Sequence, residues 1–482
     1  MNRRMILHIL GRILLVEALL MLPSVLVGII YSEKVTLSFL VPMAILVLLG
    51  AYPAFRRPKN TAIYARDGFF IVASAWIVMS LAGSLPFFFS GYFNNYTDAF
   101  FEIVSGFTTT GASVLSAPEE LPHCILFWRS FSHWIGGMGV LVFVLAIVPL
   151  SDDRSMHLMR AEAPGPIVGK LVPRMRDTAQ ILYGVYSVMT VILFILLLIG
   201  KMPVFDAFCN AFATAGTGGF GIHSKSIALY DSAYIEIVIA IFMLLFGINF
   251  NLFYLLLIKR VKLFFKNEEL RWYAVIVTVA TLAIALNLMI LSEKAFGLSL
   301  RQAFFQVASC ISSTGFSTFD FGSAPQFTQH LLLLLMIPGA CAGSTGGGLK
   351  ISRLMILVKS FFQEIRRLLH PRSVSVVRLD GRRVDQSTIH GVLSYFVAYI
   401  AIIFLTTLLL SFDKFSFTTN FSAAISCTNN IGPGLDAVGP MGNYGGFSAF
   451  SKLLLSFVML FGRLEILPMM ILFTPDVWRK NA

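Results

Sequence analysis

The chain has 482 residues, 57% hydrophobic and only 13% charged, with 37 Lys and Arg against 25 Asp and Glu and a net charge of +12. That charged share falls well below the roughly 25% of soluble domains, and apolar runs recur from end to end, which excludes an ordinary soluble fold and marks a polytopic membrane protein. The five cysteines (Cys124, Cys209, Cys310, Cys341, Cys427) lie in or beside apolar segments without C-x-x-C spacing, which suggests neither a disulfide framework nor a zinc site.

The first apolar run, MILHILGRILLVEALLMLPSVLVGIIY, is too long for a signal-peptide core and lacks a convincing cleavage site, so it is expected to remain as a helix. Spans are expected near 5–30, 36–55, 67–90, 123–149, 177–200, 231–259, 271–296, 326–360, 387–412 and 449–474, at about 20 residues per crossing. These ten form an even set, consistent with both termini on one side. The segment 326–360 is too long for one crossing and is interrupted by PGACAGSTGGGLK. Four further apolar stretches near 96–107, 203–215, 299–313 and 416–428 are too short to cross and read as re-entrant helices. The expectation is an all-α membrane protein of ten spans and four re-entrant loops.

Of the 37 basic residues, 28 fall in segments 1–12, 52–67, 151–177, 259–271, 350–383 and 476–482; seven lie in the alternate loops, and Arg129 and Arg463 stand within helices. This positive-inside pattern puts both termini in the cytoplasm and makes the excess topogenic rather than a nucleic-acid footprint. Lipid or partner contact is an additional use of the same charge.

The short segments are repeats. With Gly111, Gly219, Gly315 and Gly432 aligned, DAF, DAF, QAF and TNF stand upstream, ending in Phe100, Phe208, Phe304 and Phe421. Ser105, Ala213, Ser309 and Ser426 lie six residues before the glycines. Each repeat then reads span, short helix, polar glycine stretch, span. The divisions are an N-terminal pair of spans (1–60), then repeats at 61–150, 151–262 (with a basic linker), 263–370 (with the broken helix) and 371–482.

The stretches TTTGAS, GTGGFG, SSTGFS and NNIGPG suggest a pore of approximate four-fold symmetry built by one chain. Glycine lets the backbone turn successive carbonyls inward to replace a cation's hydration shell. Each short helix would aim its negative C-terminal end at the centre. The bland alternative, small residues that permit close helix packing, is weaker for four stretches in register than for one.

Other features divide between structural and functional readings. GACAGSTGGGLK fails as a phosphate loop, because Leu349 separates Gly348 from Lys350, Ile351 replaces Ser/Thr, and no strand precedes it. It reads as a flexible helix break or a static packing kink. Arg463, in the middle of the last expected span, is either a structural partner of Glu465 or of loop carbonyls, or an electrostatic barrier to cations. Asp98, Glu102, Asp206, Glu119, Glu120, Asp231, Asp320 and Asp436 make the outer side acidic, which would concentrate cations, although each taken singly reads rather as a cap or a solvated charge. His133 reads as a hydrogen-bonded packing residue. A serine hydrolase would need a G-x-S-x-G frame that is missing. A coupled transporter with inverted repeats is the serious rival, but all four repeats run in the same orientation.

TTTGAS, HWIGGMGVLVF, GACAGSTGGGLK and TNNIGPG…GRLEILP together resemble the TrkH family, in the Trk/Ktr/HKT superfamily of potassium transporters, over essentially the whole chain. The resemblance implies potassium uptake across a bacterial inner membrane, as a channel-like pore or as a sodium- or proton-coupled symporter, with K+ as the cargo and no catalytic residue or organic cofactor. It places the ion sites at the backbone of Thr110 and Gly111, Gly218 and Gly219, Thr314 and Gly315, and Ile431 and Gly432, with Thr109, Thr217, Ser313 and Asn430 as a second layer. It assigns gating to Gly343, Ser344, Thr345, Gly346, Gly347, Gly348 and Lys350 of the broken helix and to Arg463. In the superfamily a serine at a filter glycine goes with weaker potassium selectivity or sodium transport; here all four are glycine, which favours potassium. It also implies a homodimer and a soluble nucleotide-sensing partner, TrkA.

Overall fold

The computed structural model describes residues 2–56, 58, 65–139, 175–293, 295–372, 376–464 and 466–470. These are mostly helical; a two-residue hairpin pairs Arg378–Leu379 with Arg382–Arg383. Among the described residues, six helical spans are long and apolar enough to cross a membrane: Arg3–Ile30, Lys34–Phe55, Asp67–Ser90, Asp177–Ile199, Glu268–Leu291 and Gln386–Leu410. Only 28% to 61% of each span's most apolar window is buried. The remaining apolar surface faces outward, as lipid favours and water does not.

The first two spans cross at a pair of glycines. A β-carbon on Gly11 would come within 2.8 Å of the Gly50 carbonyl, and one on Gly50 within 2.8 Å of the Gly11 carbonyl. Small residues on both helices thus allow backbone-to-backbone packing.

The expected straight span at 231–259 is instead two helices, Ala233–Phe246 and Phe250–Leu257, bent by 94°. A break at membrane depth leaves backbone groups that need partners. Here the stretch after Gly339 supplies them. Cys341 N donates to Gly247 O at 3.0 Å, the Thr345 hydroxyl to Phe246 O at 3.1 Å, and Phe250 N to Gly343 O at 3.0 Å. The two broken helices therefore interlock, and neither break would be satisfied alone.

The long segment 326–360 is Gln326–Leu335, an irregular loop, then Ile351–Leu369. The expected span at 123–149 is helical over His123–Gly137, with 140–149 outside the described residues. That at 449–474 contains Ala449–Leu464 and Ile466–Met470; Glu465 and 471–474 lie outside the described residues, as does most of the 151–177 linker.

The four short helices are Tyr96–Phe107, Val204–Ala215, Phe296–Ile311 and Phe417–Thr428. All four end in one joint. Thr109, Thr217, Ser313 and Asn430 take left-handed backbone with φ of 55°, 54°, 57° and 54°. The next amide in each case reaches back to the helix: Thr110 N to Ser105 O at 2.8 Å, Gly218 N to Ala213 O at 2.9 Å, Thr314 N to Ser309 O at 2.9 Å, Ile431 N to Ser426 O at 3.0 Å. This is the six-to-one bond of a Schellman cap, a position that glycine usually occupies. Threonine there is strained, at a cost of order 1–3 kcal/mol. Four strained caps in register fix the direction in which the following residues leave the helix.

Candidate functional site

Two residues beyond each joint the backbone turns again. Gly111, Gly219, Gly315 and Gly432 have φ of 80°, 69°, 88° and 99°. In the second stretch Gly219 holds this conformation, and Gly216, Gly218 and Gly221 do not. The absent β-carbons matter more than the torsions. A β-carbon on Gly111 would overlap the Gly218 carbonyl oxygen, one on Gly219 that of Thr314, and one on Gly315 that of Ile431. On Gly432 it would lie 2.7 Å from the Thr110 oxygen. The series closes on itself, with each quarter leaning a glycine against the carbonyl of the next. The carbonyls of Thr110, Gly218, Thr314 and Ile431 stand in one ring, and only glycine leaves them room.

Such a ring offers neutral oxygen dipoles rather than carboxylates, a donor set that can stand in for the water around a monovalent cation. No group of three or more His, Cys, Asp or Glu side chains gathers as a metal site among the described residues. The short helices end at the ring, so their negative dipole ends add to the field there. Beyond the glycines lies an open cavity of about 110 Å³, lined by all four of them with Arg129, His223, Pro433 and Tyr444 among others.

The ring is braced from behind. Glu102 is fully buried; its carboxylate accepts from the Ser113 hydroxyl and Val114 N, both at 2.9 Å, and pairs with Arg129 at 2.6 Å. Arg129 also donates to Gly221 O at 2.6 Å and lies over the Phe220 ring at 3.7 Å. One ion pair thereby holds the outgoing backbone of two quarters. His133 Nδ1 donates to Gly106 O at 2.8 Å, and its Nε2 accepts from Phe220 N at 3.3 Å. One nitrogen donates and the other accepts, so the ring is a neutral imidazole of fixed tautomer. The Tyr444 hydroxyl donates to Gly432 O at 2.7 Å.

These contacts revise the expected acidic rim. Asp98 pairs with Lys452 at 2.6 Å, both buried, and Glu102 with Arg129, so neither carboxylate contributes an unbalanced charge. Asp436 remains outside, where hydrogen bonds from Ser416 and Thr419 hold its carboxyl below the usual range. Breaking the inner pair should be costly. Arg129→Gln leaves a buried carboxylate without its cation, an expected loss of about 3–5 kcal/mol. A melting curve of the purified variant measures it, and an unshifted midpoint would show that the pair does not brace the ring.

On the side of the residues that precede the glycines, the loop between the two broken pieces closes up to the ring. Gly347 N donates to the Ser313 hydroxyl, and a β-carbon on Gly346 would meet Ser312 O at 2.7 Å. Asn430 Nδ2 bridges the Thr110 hydroxyl and Met459 O, both at 2.9 Å. Thr217 turns its hydroxyl to Gly216 O, and the Thr109 hydroxyl is buried with no hydrogen-bond partner among the described residues. Lys350 Nζ donates to Gly346 O. The Arg463 guanidinium donates to Thr345 O at 2.6 Å and to the carbonyls of Gly136 and Gly137. It therefore ties the loop to the end of the His123–Gly137 helix. Gly343 and Ser344 lie farther along, against Asn249 and Cys341; Gly348 packs on Gly339.

The family model for TrkH, described as a cation transport protein, matches residues 37–480. The chain belongs to the TrkH family. Among the curated relatives of this TrkH-family chain, the Trk system potassium uptake protein TrkH of Escherichia coli (strain K12) is 37% identical over 494 residues, covering 100% of both chains. TrkG of the same organism is 33% identical over 481 residues, covering 99% of each. The crystal structure of the potassium transporter TrkH from Vibrio parahaemolyticus superposes with a TM-score of 0.91 at 33% identity, covering 99% of this chain and 100% of that one.

Two braces were missed at the level of sequence. Arg129 stood out only as a charge within an apolar helix, a signal that usually marks a buried partner. Glu269, whose carboxylate accepts from Ala342 N and Ser352 N, carried no signal beyond its acidic position at a helix start.

Proposed function

We propose that this protein takes up potassium across the bacterial cytoplasmic membrane through the four-quarter carbonyl ring, with the loop 339–350 and Arg463 as its gate. The observation that carries this reading is the closure of the ring: four glycines, each packed against the carbonyl of the next quarter. Carbonyl dipoles at fixed spacing compensate an ion for lost hydration, and the Gly111, Gly219, Gly315 and Gly432 positions deny any side chain access to that space. The arrangement that fits is ten spans with four re-entrant hairpins, residues 1–60 standing outside the four repeats and both termini in the cytoplasm. The basic segment 350–383 suits a soluble nucleotide-binding partner of the TrkA type, and a second copy of the chain completes the proposed assembly.

Potassium flux into liposomes tests the reading. Uptake that follows the potassium gradient alone supports a channel-like pore. Uptake that requires an imposed sodium or proton gradient makes the protein a symporter of the same fold. Absence of potassium flux under every gradient overturns the proposal. The gate has its own test. Shortening 343–348 should raise basal flux, because Gly346 and Gly347 lie against Ser312, Ser313 and Asn429 beneath the ring. Flat flux in a folded deletion variant would leave the loop as a packing element.

A further inference from the structure

The helix Ile351–Leu369 begins without a cap of its own. Lys350 occupies the N-cap position with φ of 75°, and its side chain caps none of the helix's first amides. Helix starts leave four amides without partners, which a side-chain oxygen normally satisfies. Here the oxygen comes from a distant part of the chain. Glu269 Oε1, on the first turn of Glu268–Leu291, accepts from Ser352 N at 3.0 Å and from Ala342 N at 2.8 Å. Those amides bracket the glycine-rich run 343–348, so one carboxylate oxygen holds together the two sides of the part of the loop that closes beneath the ring. Glu269 is itself 9% exposed.

The adjacent residue faces the other way. Glu268 accepts from Lys359 Nζ, and its Oε2 accepts from Asp380 N at 3.2 Å. The Asp380 carboxylate in turn accepts from Glu268 N at 2.7 Å and Asn267 Nδ2 at 2.9 Å. Asp380 sits at the turn of the Arg378–Arg383 hairpin, and Lys359 also donates to that hairpin at Arg378 O, 2.8 Å. A single helix start thus grips the loop with one glutamate and an exposed hairpin with the other.

We infer that Glu269 is the positioning residue that latches the loop closed, and that the Arg378–Arg383 hairpin holds the start of its helix in place to do so. The inference rests on the loop being the gate. Displacing the hairpin would withdraw Asp380 from the start of Glu268–Leu291 and shift Glu269 from the two amides, freeing both sides of the loop at once. Glutamine at 269 keeps an oxygen able to accept both bonds, whereas alanine removes it.

The native thiol of Cys341, 1% exposed within the loop, reports on the latch without any ion flux. In the full-length protein in proteoliposomes, with Cys124, Cys209, Cys310 and Cys427 replaced by alanine, the maleimide labelling rate of Cys341 is measured beside potassium flux. Glu269→Ala should raise labelling at least tenfold and raise basal flux, while Glu269→Gln stays within about threefold of the parent. Asp380→Ala, on the exposed hairpin, should give an intermediate rise in labelling. It also serves as the probe should Glu269→Ala fail to fold. Labelling unchanged in both folded alanine variants overturns the latch. Labelling raised with flux unchanged keeps the latch and overturns the loop as the gate.

Discussion

Replacing Arg463 with alanine should raise potassium flux through the protein on its own by on the order of tenfold to a hundredfold. A unit positive charge within about 6–8 Å of an ion's path, at an effective dielectric constant of about 20, opposes the ion by roughly 2–3 kcal/mol. The structure adds a second route to the same outcome. The guanidinium donates to Thr345 O in the loop and to Gly136 and Gly137 O at the end of a neighbouring helix, so alanine also unties the loop. Lysine separates the two. It keeps the charge but lacks the planar fork that reaches three carbonyls. If charge is the barrier, Arg463→Lys keeps flux low; if the tether dominates, lysine behaves like alanine. Flux per folded protein, paired with a melting curve, is the measurement. A stable Arg463→Ala protein with flux at or below the parent's would count against both routes.

The second large effect belongs to the ring. Serine at Gly219 or Gly315 should reduce the preference for potassium over sodium more than serine at Gly432, with Gly111→Ser close to the first two. The order follows from clearance. At the first three positions a β-carbon would overlap the next quarter's carbonyl oxygen, which must swing away, whereas at Gly432 the gap is 2.7 Å. A displaced carbonyl neither holds its distance to an ion nor its angle, and discrimination between cations of different size depends on both. Positive φ adds strain at all four sites, so the contrast between positions, more than the loss at any one, tests the geometry. The readout is the ratio of potassium to sodium flux for each variant in liposomes. Equal losses at all four sites would point to backbone strain alone, and unchanged ratios would remove these glycines from the ion path.

How much of this was legible in the sequence depends on distance along the chain. Repetition is visible within a single quarter: the column of Phe100, Phe208, Phe304 and Phe421 and the polar glycine stretches behind it need only be aligned. Phe220 after Gly219 matches Phe316 after Gly315, and Gly219 is the glycine of its stretch that takes positive φ. Periodicity also marks the spans, because a lipid-facing helix writes its length in hydrophobic residues. Contacts across the fold leave no such trace. Glu102 and Arg129 stand on different helices, and Glu269 reaches amides at 342 and 352. The 94° bend after Phe246 was missed for a related reason. Gly247 in an apolar run is compatible with a continuous helix, and the groups freed at the bend find donors and a carbonyl in a loop about a hundred residues downstream. Asp98 was misread because an acid at a helix start is commonly a solvated cap, and its partner Lys452 lies in the final quarter.

A ring assembled from four different stretches of one polypeptide also has a genetic consequence. In a pore of identical subunits one codon change alters every corner together. Here a single codon alters one corner and leaves three intact, so lesions in the gene arrive in quarter doses. The joint residues show how far the corners can differ while holding one backbone: two threonines, a serine and an asparagine share φ values of 54° to 57°. Asn430 has gained from that freedom, since its amide spans Thr110 and Met459, a reach no hydroxyl at the other corners could match. The fourth corner is thereby fastened to the first, at the seam where the beginning and the end of the repeat series meet.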